Sequence, residues 1–494
     1  MKYSTLALIF ALAGCNFHLS GDNGGAGGGD DLAAGGDDLG DVDLGGGGND
    51  LTTPNDIAGL PIVCTAGSAS CNGGTLVSCP DGTAEMMTTC SLGCSTTNGA
   101  HCEQMYPRAP VARSDFDTTG LTDITINMGG GISTDNGQIN AGNNIFRHPN
   151  TDANAYEVHD GIGFHVVSIP GQTTRLGIFT FKSLTIPQGQ SFNTYGSNGL
   201  ALVSAGNITL AGTVDVTCAA NVFVAALGGA ANAKPYLGGP GGGNGGIPGG
   251  TSKDGVSIVS GGGGAGADIT HQAGGGGGAF GDIGGPGGDE GANTGGAGGL
   301  AYGDGAMTML LGGSGGGAGG LGGVIGDPNG GGGGGIALLV AQGTLTLGGG
   351  NMVGGVNAGG CGGGAATGVG GGGGGAGGAV YLQALAVHIT NNGGVAANGG
   401  GGGAANTNGG MSSGKSGTIS TTAAGGGSGG SASGGAGGVV GSTDGKTGGS
   451  SAMAGAGGGG GVGRVRIETQ SGAATIDGNG IQSPNAIQGT IDIH

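Results

Sequence analysis

Glycine constrains this chain more than any other feature of its sequence. Between Gly228 and Gly460, 99 of the 233 residues are Gly. Ordering a Gly costs about 0.5–1 kcal/mol more than ordering an Ala, so ordering all of them costs roughly 50–100 kcal/mol more than an alanine chain would. Either these segments stay disordered, or they pack in a way that only Gly permits. One such packing is a bundle of extended, polyproline-II-like segments whose backbones touch.

Four apolar islands interrupt the glycine and share one plan. They begin at Gly199, Gly335, Gly378 and Gly463, and each holds three short stretches in which apolar residues alternate with others. Period-two alternation is typical of a β-strand. The first pairs are Leu200/Leu202, Ile336/Leu338, Val380/Leu382 and Val465/Ile467; the second are Ile208/Leu210, Leu345/Leu347, Val387/Ile389 and Ala474/Ile476; the third stretches hold Val214/Val216, Val353/Val356, Val395/Ala397 and Ile481.

This plan predicts an all-β chain, in which short three-strand rungs form a β-solenoid-like stack with long glycine-rich excursions. One rung cannot bury its inner face, but rungs stacked at about 4.8 Å can. A leader with Phe179/Phe181 and Leu184/Ile186 follows a related plan. A flat antiparallel meander or a two-sheet sandwich is the alternative. We expect the excursions to leave and rejoin the stack as thin, soluble loops.

Outward positions of the rungs follow from the same alternation. Ile389 is predicted to face the core and His388 to face outward. Thr209, Thr346 and Thr390 recur at positions that we expect to point outward from the second strand. A regular threonine ladder is the feature that ice binding would require.

The N-terminus predicts export. "MKYSTLALIFALAGC" has Lys2 and then an apolar run too short to span a membrane, which is typical of a secretory signal. Its last four residues resemble a bacterial lipobox. The resemblance implies that residues 1–14 are removed, that Cys15 is acylated, and that the lipid ties the protein to a membrane. Asn16 favours the bacterial outer membrane, with the chain facing the periplasm or the cell surface. A plain signal peptide with a chance Cys is the alternative.

An acidic tether is predicted over residues 15–60, which contain Asp and Gly but no Lys or Arg. Such a segment cannot bury enough apolar surface to fold, and its like charges keep it extended. The whole chain has a formal net charge of −19, which argues against nucleic acid as a partner. The segments 45–50 and 284–289 match the start of a calcium-binding nonapeptide. Neither is in tandem, so no metal or other cofactor is predicted.

Two groups of cysteines predict disulfide bonds. Residues 61–104 form a six-cysteine module, for which an exported chain favours disulfides, in any of 15 pairings. A zinc site using Cys90, Cys94 and His101 is the alternative. Cys218 and Cys361 each end the third strand of an island, so stacking of those islands would bring them within disulfide range; two unpaired buried thiols are the alternative. The module cysteines are Cys64, Cys71, Cys79, Cys90, Cys94 and Cys102.

The remaining chain divides into a β-rich leader block, residues 105–171, and the glycine-rich domain, residues 172–494. The block contains His148, His159 and His165, two of them in "HDGIGFH". A metal site is one interpretation. We favour polar residues on a strand–loop surface, although a turn at residues 161–163 would bring His159 and His165 together.

The order of segments resembles glycine-rich surface lipoproteins of myxobacterial type. The resemblance rests on the lipobox, the Asp-Leu repeats of "DDLAAGGDDLGDVDL" and the module "CNGGTLVSCPDGTAEMMTTCSLGC". We therefore predict a non-catalytic, lipid-anchored cell-envelope protein with a structural or adhesive role and an envelope glycan or matrix as a further partner. The alternatives are a glycan- or ice-binding surface module and a β-helical polysaccharide-degrading enzyme. An enzyme would use the charged groups of the rungs, which are Asp215, His388, Arg464, Arg466, Glu468 and Asp477.

Overall fold

The computed structural model describes residues 64–90, 92–218, 236–249, 253–322, 328–365, 367–405 and 411–494. In these residues the chain forms twenty-five β-strands and one 3₁₀ helix, Arg113–Phe116. The all-β fold class is therefore confirmed. The predicted signal, Cys15 and the tether lie outside the described residues.

The cysteine module consists of two small antiparallel sheets. One contains β1 (Ser68–Asn72), β2 (Thr75–Cys79) and β3 (Met86–Thr89), and the other contains β4 (Cys94–Ser95) and β5 (His101–Cys102). Among the described residues from 64 to 104, the buried apolar side chains are those of Cys79 and Cys90. Disulfides therefore replace an apolar core here. They join Cys64 to Cys79, Cys71 to Cys94 and Cys90 to Cys102, which leaves no free thiol for the alternative zinc site.

The leader block adds strands to two larger sheets. The block contains β6 (Asp123–Thr125), β7 (Gly130–Ser133), β8 (Ile139–Ala141), β9 (Asn144–Arg147), β10 (Glu157–His159) and β11 (Ile162–Ser168). β7, β8 and β9 pair in antiparallel order, as do β10, β11 and the first strand of the leader rung.

The leader and the four islands supply the parallel stack. In the second and third islands, the predicted first and second strands form one long strand with a register shift between Ala341 and Thr344. The leader contributes β12 (Arg175–Phe181), β13 (Ser183–Ile186) and β14 (Ser191–Tyr195); the islands contribute β15 (Gly199–Ser204), β16 (Ile208–Leu210), β17 (Thr213–Asp215), β18 (Ile336–Leu347), β19 (Gly354–Asn357), β20 (Ala379–Ile389), β21 (Gly393–Ala396), β22 (Arg464–Thr469), β23 (Thr475–Ile476), β24 (Ile481–Ser483) and finally β25 (Ile487–Thr490).

Corresponding strands of successive islands pair in parallel, not in the antiparallel order of a meander. First strands pair in the order β12, β15, β18, β20 and β22, followed by β25. Second strands run from β6 through β13, β16, β18 and β20 to β23. Third strands run from β7 through β14, β17, β19 and β21 to β24. β6 and β7 thus extend the stack by a partial rung that the sequence analysis did not predict.

The second strands have the predicted register. Leu210 lies opposite Leu347, and Leu347 lies opposite Ile389. All three side chains are fully buried in one core cluster with their neighbours Ile208, Leu345 and Val387. Strict alternation of apolar and polar residues fixes this register, because a one-residue slip would expose the whole apolar set.

The first strands correct the prediction by one residue. Leu200 lies opposite Ala337 and Leu202 opposite Leu339, so the inward pair of the second island is Ala337/Leu339 rather than Ile336/Leu338. Ile336 and Leu338 pack instead into a second cluster on the outer face. A strand buried on both faces is apolar throughout, and its alternation therefore carries no register information.

Two predictions for the third strands are also wrong. Val214, Val356 and Val395 lie in register as expected, but Val353 precedes the strand and its side chain is 44% exposed. Ile481 lies opposite Gly394, which places Gln482 opposite Val395. These strands are short and glycine-rich, and such strands specify their register weakly.

The described parts of the glycine-rich excursions are packed, not loose. From Gly274 to Ala279, consecutive amides donate to three different neighbouring segments in turn, and the pattern repeats every third residue. A polyproline-II helix has three residues per turn and no internal hydrogen bonds, so its amides point in three directions. Gly274 and Gly277 donate to Gly288 and Gly285, Gly275 and Gly278 to Gly371 and Gly374, and Gly276 and Ala279 to Ala265 and Gly262.

The three excursions also bond to one another. Gly275 N–H donates to Gly371 O (2.9 Å), Gly371 N–H donates to Gly455 O (3.0 Å) and Gly458 N–H donates to Gly275 O (2.9 Å). Each donor comes from a different excursion, so the three segments form a closed cycle. Hence the expectation of thin, soluble loops is wrong for the described residues. They form instead the bundle of extended, polyproline-II-like segments that the sequence analysis gave as the alternative.

Glycine is required at the tightly packed positions of this bundle, which we call the glycine bundle. An ideal Cβ on Gly275 would lie 2.2 Å from Gly317 O, and one on Gly374 would lie 2.2 Å from Gly400 O. The bundle also covers the outer face of the first strands, where its apolar side chains complete the second core cluster. These side chains include Phe280, Tyr302, Met307, Leu310 and Leu311.

Candidate binding face

A column of side chains runs across the outer face of the second strands. In each of these strands one outward residue lies between two apolar residues, which are buried in every strand but β23, and the parallel register places the outward residues opposite each other. We call this set the hydroxyl column; it consists of Thr125, Thr185, Thr209, Thr346, His388 and Thr475, in that order.

The column agrees with the sequence analysis in part. Thr209 and Thr346 occupy it, and His388 faces outward beside the buried Ile389, as expected. Thr390 does not belong to it. Thr390 follows the end of β20, and its hydroxyl donates to Leu347 O at 3.0 Å.

Three members of the column were missed by the sequence analysis. Thr125, Thr185 and Thr475 each sit between two apolar residues, in "ITI", "LTI" and "ATI". "ITL" around Thr209 and "LTL" around Thr346 have the same form. The recurring tripeptide of apolar residue, Thr and apolar residue was the signal that could have found the whole column.

The threonine hydroxyls of the column have no hydrogen-bond partner among the residues that the structure describes. Thr125, His388 and Thr475 are exposed, and Thr185, Thr209 and Thr346 are half-buried. Within the described part of the chain, none of the five threonine hydroxyls makes a hydrogen bond. On the third strands, by contrast, Thr194 donates to Asp215 O (2.7 Å) and Thr213 to Val353 O (3.4 Å).

One ion pair lies beside the first rows of the column. Asp123 Oδ2 lies 3.1 Å from Lys182 Nζ, and Ser183 Oγ donates to Asp123 Oδ1 at 2.7 Å. The hydrogen bond from Ser183, together with Lys182, lowers the pKa of the Asp123 carboxyl. The face therefore presents mainly neutral groups that both donate and accept hydrogen bonds.

The predicted pair Cys218 and Cys361 forms a disulfide bond. Its Cα atoms are 5.6 Å apart, and both residues are buried. Cys218 follows β17 and Cys361 follows β19, the neighbouring third strand. The bond therefore ties the start of the first glycine-rich excursion, at Cys218, to the start of the second excursion, at Cys361.

Each histidine of the leader block lies beside its own carboxylate. His148 Nδ1 is 2.9 Å from Asp160, His159 Nε2 is 2.8 Å from Glu157, and His165 Nε2 is 3.1 Å from Asp115. The described residues contain no group of three His, Cys, Asp or Glu that could hold a metal ion.

The second candidate calcium segment, 284–289, lies in the glycine bundle. There Asp289 Oδ1 accepts a hydrogen bond from Gly295 N–H at 2.9 Å. The first candidate segment, 45–50, is outside the described residues.

The charged residues considered for an enzyme are distributed over different sheets. Arg466 and Glu468 form an ion pair at 2.7 Å on the first strand, where Arg464 donates to Tyr302 O at 2.9 Å. Asp215 lies on the third strand, where burial raises the pKa of its carboxyl and Thr217 N–H donates to it.

No known family model, curated protein or solved structure matches this chain. A helix long and apolar enough to cross a membrane does not occur in the described residues.

Proposed function

We propose that the chain is a non-catalytic protein of the bacterial cell envelope, tied to the outer membrane through a lipid on Cys15 and serving a structural or adhesive role. The observation that carries this proposal is the pairing of the cysteines. All eight cysteines of the described residues are paired in four disulfides. Disulfides persist outside the reducing cytoplasm, which supports the export that the N-terminal sequence predicts.

The architecture supports a scaffold role. We infer that the parallel strands form a β-solenoid-like body, with the glycine bundle as a second layer on one face. Side chains on both faces of the first strands are buried, and backbone hydrogen bonds connect all three excursions. A chain built in this way holds its surface in a fixed geometry, which is what a structural or adhesive protein needs.

We propose also that the chain is a glycine-rich surface lipoprotein of myxobacterial type. The order of lipobox, Asp-Leu tether and cysteine module supports it. A polysaccharide-degrading activity has less support, because Asp215 lies on a different sheet from Arg466 and Glu468.

Fractionation of cells that express the full-length chain tests the proposal. We expect the wild type in the outer-membrane fraction, and Cys15→Ala either released to the periplasm or retained with its signal uncut. Ser20→Ala, five residues downstream, is the matched control and should behave like the wild type. Mass spectrometry of the mature chain showing an unmodified Cys15 would contradict the proposal.

A further inference from the structure

We propose that the hydroxyl column is a docking face for a neutral, extended polysaccharide chain. This inference rests on the proposed function, because it assigns the adhesive partner of a protein displayed on the envelope. Two observations carry it: the unbroken register of the column and its threonine hydroxyls, which have no hydrogen-bond partner among the described residues.

The register makes the column a regular and rigid array. Six consecutive strands contribute one side chain each. At the usual strand spacing of about 4.8 Å, five steps span about 24 Å, enough for several sugar units of an extended chain. Threonine is β-branched and stiff at χ1, so little side-chain freedom is lost when a ligand is bound.

The chemistry of the column matches sugar hydroxyls. Each Thr hydroxyl offers one donor and two acceptor lone pairs, and none of the five is used by another described residue. Its methyl group provides a small apolar contact beside the hydroxyl. Sugar rings present the same combination of hydroxyls and C–H groups, so the contact would repeat from row to row.

Charge selects a neutral occupant. The chain carries a net charge of −19, which repels polyanions such as nucleic acids or strongly acidic glycans. Lys182, which lies next to Ser183 of β13, is already paired with Asp123. A neutral polymer approaches this face without an electrostatic penalty.

Two other occupants fit less well. A protein partner usually binds through aromatic or Arg anchors, and the column contains neither. Ice would require the same group at every step, but His388 replaces threonine in the fifth row. A polymer with flexible linkages tolerates one such substitution.

Retention of the purified full-length chain, in detergent micelles, on crystalline cellulose and on crystalline chitin tests the inference. We expect saturable binding to at least one of them. Thr209→Val combined with Thr346→Val removes two hydroxyls but keeps the size and β-branching of the side chains, and should weaken binding at least about tenfold. Thr88→Val combined with Thr89→Val, two exposed positions on β3, is the matched control and should bind like the wild type.

Three results would overturn the inference. They are no retention on either polysaccharide, retention that the column variant leaves unchanged, and freezing hysteresis that depends on the column without polysaccharide binding. If the double variant does not fold, Thr125→Val and Thr475→Val at the exposed ends of the column provide the same comparison. Failure here leaves the fractionation result intact, since membrane attachment depends on Cys15 and not on the column.

Discussion

A Gly→Ala exchange should have opposite effects at two positions of the glycine bundle. Gly374 is buried, and a Cβ there would lie 2.2 Å from Gly400 O. Gly425 lies in the same bundle, but a Cβ there meets only the Lys415 Cδ, at 4.0 Å. Gly374→Ala should therefore destabilise the protein, whereas Gly425→Ala should stabilise it slightly.

The magnitude at Gly374 follows from the geometry. An ordinary contact between a Cβ and an oxygen begins at 3.4 Å, and the Cβ of an Ala at position 374 would lie 2.2 Å from Gly400 O. The backbones at these two positions must therefore move apart by 3.4 − 2.2 = 1.2 Å. That movement breaks the neighbouring hydrogen bond from Gly400 N–H to Gly375 O, now 2.8 Å. Overpacking costs about 1–3 kcal/mol and a lost hydrogen bond about 0.5–1.5 kcal/mol. Against these losses, Ala lowers the conformational entropy of the unfolded chain, which stabilises the folded state by about 0.4–1 kcal/mol.

The net loss expected for Gly374→Ala is about 2 kcal/mol, and the gain expected for Gly425→Ala is about 0.4–1 kcal/mol. Urea unfolding of the wild type and both variants, followed by circular dichroism, measures the difference. Equal effects of the two substitutions, or stabilisation by Gly374→Ala, would refute the packed bundle, because a loose glycine segment gains from Ala at both positions.

Three further changes have expected outcomes. Replacing Cys218 and Cys361 by Ser removes a disulfide that spans 143 residues, and the chain-entropy treatment gives a loss of unfolding free energy of at most about 5 kcal/mol. In the wild type, peptide mapping should find both cysteines resistant to alkylation until the protein is reduced. Ile389→Asp buries an unpaired charge and should lower the melting temperature clearly, whereas His388→Asp at the exposed neighbouring position should not. Burial raises the pKa of the Asp215 carboxyl above its ordinary value of 3.8, so the folded state binds this proton more tightly than the unfolded state does. Stability therefore falls as the pH rises from the ordinary value through the raised one. Asp215→Asn should be more stable than the wild type above this pH range and lose that advantage below it, which thermal melts at several pH values measure.

The sequence predicted the parts of the fold in which apolar and polar residues alternate. Leu210, Leu347 and Ile389 were placed in register because each has an apolar partner two residues earlier and a polar residue between. For Cys218 and Cys361 the stacking of the first two islands indicated a possible disulfide beside the alternative of two unpaired thiols, and the structure has the bond. The hydroxyl column was found only in part, since Thr390 looked equivalent to Thr209 and Thr346 until its own hydrogen bond to Leu347 was known.

Other parts could not be predicted from local pattern. Ile336 and Leu338 were assigned inward because the first strand of the second island is apolar on both faces, and only the covering bundle distinguishes them from Ala337 and Leu339. The bundle itself is a property of distant segments. Gly275, Gly371 and Gly455 lack a side chain and lie in runs without a periodic signal, so their mutual bonds depend on tertiary geometry alone.

Hydrogen exchange of the native full-length chain, read by mass spectrometry, tests most directly the central claim that the glycine-rich excursions are an ordered layer of a rigid scaffold. The amides of Gly371, Gly374 and Gly458 are bonded to other segments. Peptides covering residues 371–378 and 455–461 should therefore be protected to a degree similar to the peptide of β18. Complete exchange of both glycine-rich peptides at the earliest time point, with β18 still protected, would contradict the account.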